Sequence, residues 1–370
     1  MSAPRTTTPS PAPRGGLSSP AKPDLLGKSP QAIGTVVQPP AGWLAQRKPE
    51  TILEPELEIV DAHHHLWQRR GWPYLLPELL ADSGSGHRVT ATVFVECVAF
   101  YKPDAPQHRR PLGETEFATG VAAMAASGVY GDTRACAGIV GRADLTRGAA
   151  VREDLEAHLR IAGTRFKGIR HAAGWDASEL IHDSHTQPGP RLYADRRFRE
   201  GFAQLAPLGL SFDAWSYHPQ LDDLVDLART FPDTTIVLDH CGGPLGVGPY
   251  AGRVDETFAA WRMPLRALGR CPNVVVKLGG LGMPIGVFDW HLRPLPPTSQ
   301  QMADDMRPWI DTCIEAFGPE RCLFESNFPV DGVSSTYATL WNAFKRLATG
   351  ASAAEKAALF AGTARRVYRL

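Results

Sequence analysis

Val60-Asp61-Ala62-His63-His64-His65-Leu66-Trp67 carries the densest chemistry in the chain. Side chains alternate along a β-strand, so His63 and His65 point one way and His64 the other. Two imidazoles on one face are placed to share a divalent metal, or to grip one substrate carbonyl between them. Packing alone explains a lone histidine, but it explains a D-x-H-x-H run poorly. Other histidines end other apolar runs: His171 in GIRH, His218 in SYHPQ and His240 in LDHCGG. Each alone reads as structural. If all of them stand at one mouth, they supply metal ligands and general acid/base groups that work near neutral pH. Arg170, beside His171, offers a fixed cation for a carboxylate or a developing oxyanion. Trp67, Glu96, Trp215 and Tyr217 are the candidate substrate contacts, and Trp175 and Trp290 add aromatic surface for a pocket or a core.

These residues need a scaffold that brings distant strand ends together. From about Glu58, short β-branched runs recur at 58–67, 90–100, 135–145, 166–172, 210–219, 234–243, 273–282 and 321–331. Between them lie amphipathic stretches such as VREDLEAHLRIAG and QLDDLVDLARTF. Eight strand-like runs alternating with helices predict a parallel sheet closed into an α/β, (β/α)₈ TIM-type barrel. An open doubly wound sheet would want a glycine-rich phosphate turn after its first strand, and that strand ends in histidines instead. Two long segments, 101–117 and 281–300, follow the second and seventh strands, where barrel enzymes carry specificity loops, and read as lids.

Residues 1–47 are rich in Pro, Ser, Thr, Ala and Gly and read as a disordered tail, with the barrel domain at 48–370. Deleting residues 1–40 should then change little. Lys+Arg and Asp+Glu both total 39, so the formal charge is zero. Neither nucleic acid nor a membrane surface is an expected partner, because both want a basic excess. A small-molecule substrate is expected, and a homo-oligomer is compatible with the chain. The six cysteines show no C-x-x-C spacing and mostly sit in apolar runs, which suits reduced thiols in a cytoplasmic enzyme.

D-x-H-x-H-x-W, GIRH, DHxGG and SNFPVD together resemble the amidohydrolase-related family, over roughly residues 58–370 including the ending GTARRVYRL. The likeness is greatest to its lactone hydrolases, which act on pyrone dicarboxylate, sulfomuconolactone and sugar lactones. The resemblance implies a (β/α)₈ barrel, hydrolysis at a cyclic ester, and a site built from strand ends. Members of that branch carry one zinc or none. It places His63 and His65 at the paired ligand positions and His240 at the histidine ending the sixth strand.

One position departs from that pattern. The family ends its last strand with Gly-Ser-Asp-x-Pro, whereas this chain reads Glu325-Ser326-Asn327-Phe328-Pro329. An amide cannot accept a proton at a useful pH, so either the base lies elsewhere or the chain has a changed chemistry. Asp331 is the expected substitute, its carboxylate folding back over the mouth. Glu325, two residues deeper, could orient a histidine, and Glu96 is a third candidate. Without a carboxylate at 327 the cluster would consist mainly of neutral imidazoles, so weak dependence on zinc is expected. The reading is a lactone hydrolase. A metal-dependent non-oxidative decarboxylase and a non-catalytic binding barrel are the alternatives.

Overall fold

The computed structural model describes residues 36–69 and 71–370. Eight parallel strands run in sequence order: β1 Glu58–His64, β2 Arg88–Val95, β3 Arg134–Gly141, β4 Phe166–Arg170, β5 Ser211–Ala214, β6 Ile236–Leu238, β7 Val274–Leu278 and β8 Cys322–Phe324. Each is followed by a helix: α1 Leu76–Ser83, α2 Leu112–Ala126, α3 Arg152–Ala162, α4 Arg196–Phe202, α5 Leu221–Thr230, α6 Val254–Gly269, α7 Ser299–Phe317 and α8 Tyr337–Leu347. β8 and β1 are joined just past their ends, where Asn327 N–H donates to the His63 carbonyl at 2.9 Å and His65 N–H to the Phe328 carbonyl at 2.8 Å. The predicted barrel is therefore the fold, and each strand lies within or beside the run that forecast it.

Two apolar regions hold it together. A large outer one packs strand faces such as Ile59, Phe94 and Ile169 against the helices. A smaller inner one gathers Val60, Ala62, Val93, Val140, Val237, Val275 and Leu323. The chain ends in α9 Ala353–Ala357, a π-turn at Ala358–Gly362, and α10 Thr363–Tyr368. Ala364, Val367 and Tyr368 of α10 belong to the inner group, so this short helix plugs the barrel from the end where the strands begin.

Residues 1–35 of the expected tail lie outside the described residues. Residues 36–47, assigned to the same tail by composition, are docked on the barrel instead. Trp43 is buried and its indole N–H donates to the Arg293 carbonyl at 3.0 Å, while Arg47 Nε donates to the Pro296 carbonyl at 2.8 Å. A single aromatic anchor outweighs the polar composition around it. Of the six cysteines, all are free thiols; five are buried and Cys97 is half-buried.

Candidate active site

The register of β1 against β2 shifts between Asp61 and His64, which sets the three histidines apart. His64 turns outward, its Nε2 at 2.8 Å from Thr92 Oγ1. His63 and His65 meet with their Nε2 atoms 3.2 Å apart, and His65 Nδ1 lies 2.8 Å from the Val95 carbonyl, which can only accept. His65 Nδ1 therefore carries the proton and its Nε2 a lone pair.

Beneath this pair lies a fully buried ionic floor. Lys277, from β7, places Nζ 2.7 Å from Asp213 Oδ2, 3.0 Å from Asp239 Oδ1 and 3.1 Å from His63 Nδ1. Glu325, just past β8, reaches His240 Nδ1 at 2.6 Å and His63 Nδ1 at 2.9 Å. Arg170 binds Glu96 through Nε at 2.8 Å and donates a second bond to the Glu96 carbonyl. Burial pushes His63 and His65 well below the usual imidazole range, and the charges of Lys277 and Arg170 respectively add to this. Burial opposes ionisation of Glu325, but His240 and His63 outweigh it and hold its carboxyl at about 2. Glu96 is likewise held below the carboxylate range: burial acts against it, and His185 and Arg170 prevail. Burial raises Asp213 to about 6 despite Lys277.

Glycine explains how β7 passes this floor. A Cβ on Gly280 would lie 2.2 Å from His240 Nδ1, and one on Gly279 would lie 2.3 Å from the Glu325 carbonyl oxygen. The Lys277-Leu278-Gly279-Gly280 run thus delivers the lysine and then clears space for the His240–Glu325 pair. His240, Asn327 and Val98 take left-handed backbone (φ 54°, 53° and 64°) around the same mouth. Such strain in non-glycine residues persists where the surrounding structure enforces it.

Above the floor opens a pocket of about 410 Å³. His65, Arg69, Arg170, His185, His240 and Asn327 supply most of its polar lining, and Trp67, Trp215, Val98 and Met283 much of its apolar wall. Of the candidates, His63, His65, Arg170, His240, Asn327, Trp67, Trp215 and Glu96 converge here or directly below. His171, His218 and Tyr217 do not line the pocket. His171 Nδ1 accepts from Leu145 N–H at 3.2 Å, His218 Nδ1 from Leu245 N–H at 3.2 Å, and the Tyr217 hydroxyl is given to the His182 carbonyl. They brace loops. Trp175 does not line it either, and Trp290 is fully buried in the outer core.

Asp331 does not overhang the mouth. It is buried, with Oδ1 accepting from Asn327 Nδ2 and Oδ2 from Gly282 N–H, both at 2.8 Å. Its carboxylate fixes which end of the Asn327 amide faces where, leaving Asn327 Oδ1 without a hydrogen bond. Glu325, two residues deeper on the same strand end, is the carboxylate that reaches His63 and His240. Lys277, Asp239 and His185 were not singled out from sequence. His185 sits in the long segment after β4, 3.2 Å from Glu96 Oε2, and only its polar, proline-containing surroundings hint at a loop with work to do. The 101–117 segment lines a separate cavity with Arg142 and Arg147, whereas 281–300 does reach the main pocket through Met283.

Comparison with known proteins decides the family. The amidohydrolase family profile matches residues 60–370. The chain is an amidohydrolase. It is 32% identical over 339 residues to the uncharacterized protein y4mH of Sinorhizobium fredii, covering 85% of this chain and 99% of that one. It is 30% identical over 330 residues to an L-fucono-1,5-lactonase of Burkholderia multivorans, covering 84% and 96% respectively. Crystal structures of a Burkholderia multivorans amidohydrolase, one with bound HEPES and one with bound zinc, are 27% and 26% identical. They superpose with TM-scores of 0.65 and 0.64 over 84% of this chain and 99% of theirs. This amidohydrolase is accordingly an enzyme of that family. Among the described residues no helix is long and apolar enough to cross a membrane.

The site of this amidohydrolase fits a divalent ion in one tautomer. His63, Asp239 and His240 offer ligand atoms within 4.8 Å of one another. Asp239 Oδ2 is buried without a hydrogen bond, with the Arg170 guanidinium 3.6 Å away. Lys277 and Arg170 supply two cations against Asp213, Asp239, Glu325 and Glu96, so the floor has anionic charge to spare. The floor is therefore richer in carboxylate than the loss at 327 suggests. With the proton on His63 Nδ1, the Nε2 lone pairs of His63 and His65 face each other and want a cation between them. With the proton on Nε2 the floor closes on itself: Lys277 donates to His63, His63 to His65, and His65 to Val95.

Proposed function

We propose that this amidohydrolase hydrolyses the lactone of a small, hydroxylated organic acid. The observation that carries the reading is the His240–Glu325 pair at 2.6 Å, opening onto the pocket that Arg170 also lines. Glu325 Oε1 accepts the hydrogen bond from His240 Nδ1–H, which leaves His240 Nε2 as the free base. A carboxylate that orients an imidazole and stabilises its cation is a recurring device for activating a nucleophile.

In this mechanism His240 Nε2 removes a proton from water as the water attacks the ring carbonyl. The Arg170 guanidinium, already fixed by Glu96, stabilises the charge that develops on the carbonyl oxygen. The ring C–O bond then breaks, and the His240 imidazolium returns its proton to the leaving oxygen. Asn327 Oδ1, fixed by Asp331, accepts a hydrogen bond from water or a substrate hydroxyl. Trp67 and Trp215 offer flat apolar walls to a ring, while His185 and Arg170 offer polar contacts to its substituents. A zinc held by His63 and His65 through their Nε2 atoms would add Lewis-acid polarisation of the carbonyl and leave His240 as the base.

The likeness to a lactonase supports hydrolysis over decarboxylation, as does a pocket that, among the described residues, no carboxyl group lines. The test is a panel of sugar-acid and unsaturated lactones followed by proton release, beside aromatic acids followed by CO₂ release. Proton release that disappears in His240→Gln supports the proposal. CO₂ release without lactone opening makes the chain a decarboxylase, and neither signal leaves a binding barrel.

A further inference from the structure

The segment at residues 36–47 lies outside what the relatives explain. The family profile begins at residue 60, and the relatives are matched over 96–99% of their own length but only 84–85% of this chain. Yet Val36 lines the catalytic pocket together with His65, Arg170 and His240. The segment is anchored at its far end by the buried Trp43, by Arg47 on the Pro296 carbonyl, and by Glu50, whose Oε1 accepts from Ser299 N–H at 2.7 Å. All three anchors grip the stretch between β7 and the start of α7. Between Val36 and Trp43, Pro39-Pro40 stiffens the chain by fixing φ and removing two donors. Residues 38–45 lie along Trp72, with a cavity of about 350 Å³ between them.

We propose that residues 36–47 form a strap that completes the active-site pocket, with Val36 as a wall and Trp43 as its anchor. This addition to the family barrel sets which substrates the pocket admits. Val36 joins Val98, Met283 and Val330 among the apolar residues lining a pocket whose polar groups include Arg170, His65 and His240. A lining of that kind favours compact substrates with an apolar edge and excludes bulky or branched ones. The inference rests on the pocket being the substrate site; it does not depend on the chemistry being lactone hydrolysis.

Two variants test it, each against the full chain. Deleting residues 1–40 removes Val36 but keeps the Trp43 anchor, and Val36→Gly removes the wall alone. The first readout is steady-state hydrolysis of a small sugar-acid lactone. KM should rise about tenfold in both variants, the scale of one lost apolar contact in a pocket, with kcat changed little. The second readout needs no turnover. Cys97 lines the pocket and is the one thiol of six that is not buried, so a bulky maleimide, located by peptide mapping, reports access. Labelling should be several-fold faster in both variants, with the melting temperature moved by less than about 3 °C. Unchanged labelling in both variants would overturn the strap. Faster labelling with no lactone turnover in any form of the chain would support the strap while removing the lactonase reading.

Discussion

Side-chain identity at the mouth matters through partners that the strands deliver. His63→Ala and His65→Ala should each lower kcat by at least about 100-fold, the low end of what a positioned acid/base or ligand group contributes. His64→Ala should leave kcat nearly unchanged and cost about 1–3 kcal/mol of stability, because it abandons the Thr92 hydroxyl in the barrel wall. Urea unfolding beside initial rates separates the two effects; equal kinetic losses in all three would sink the assignment of faces. Asp331→Asn should cost less than about 100-fold in kcat, since Asp331 acts by orienting Asn327 and is not the proton acceptor. A larger loss would return Asp331 to the role of base. Lys277→Met should make stability depend on zinc. The substitution removes the ammonium that competes for Asp239 and His63, and it leaves two carboxylates whose partner is gone, a change that typically costs ~3–5 kcal/mol. Added zinc should raise the variant's melting temperature more than the parent's. An equal rise in both would mean that Lys277 does not oppose the metal.

Among the elements, the turn leaving β2 is held in a strained form. Val98 and Phe100 both take left-handed backbone, at φ 64° and 54°, and Val98 is β-branched, for which that region is costly. Glu114 of α2 holds the turn from behind, its Oε1 accepting from Cys97 N–H at 2.9 Å and Ala99 N–H at 2.8 Å. Burial, with Glu96 nearby, raises the Glu114 carboxyl to about 8, so near neutral pH it is largely protonated and still accepts both bonds. Glu114→Gln keeps the accepting oxygen and should be mild. Glu114→Ala should cost about 1–3 kcal/mol for two orphaned backbone donors and should raise KM more than it lowers kcat, because Val98 walls the pocket. Chemical unfolding together with a KM–kcat split checks this, and an effect confined to kcat would contradict it.

Over the whole molecule, the floor of the site is tied to the far end of the barrel. Tyr368 of α10 donates to Asp213 Oδ2 at 2.7 Å, and the same oxygen accepts from Lys277, which in turn touches His63. The C-terminal plug and His63 are thus two side chains apart. Tyr368→Phe should cost about 1 kcal/mol, one buried hydrogen bond, because Lys277 still satisfies Asp213. Deleting residues 363–370 should be far worse, since it strips Ala364, Val367 and Tyr368 from the inner core and exposes the ionic floor to water. Thermal melting of both variants distinguishes a plug from an ornament: a truncated chain as stable as the parent would mean the barrel closes without it.

Local pattern was enough to determine the barrel, its eight strands, the shared face of His63 and His65, and the outward turn of His64. Period-two alternation and strand–helix alternation are short-range properties, written in neighbouring residues. Resemblance of motifs added His240 and the anomaly at Asn327. Only the tertiary structure decided which carboxylate meets the histidines. Glu325 meets His240 across 85 positions and Lys277 meets His63 across 214, and no periodicity records which strand ends will face one another. For the same reason His171, His218 and Tyr217, alike in sequence to the residues that converge, bind backbone instead. The strap was hidden differently. Its composition is that of a tail, and one tryptophan finding a buried seat on a loop 250 residues away overrides that composition, because docking is set by a single well-packed contact while composition averages over all of them.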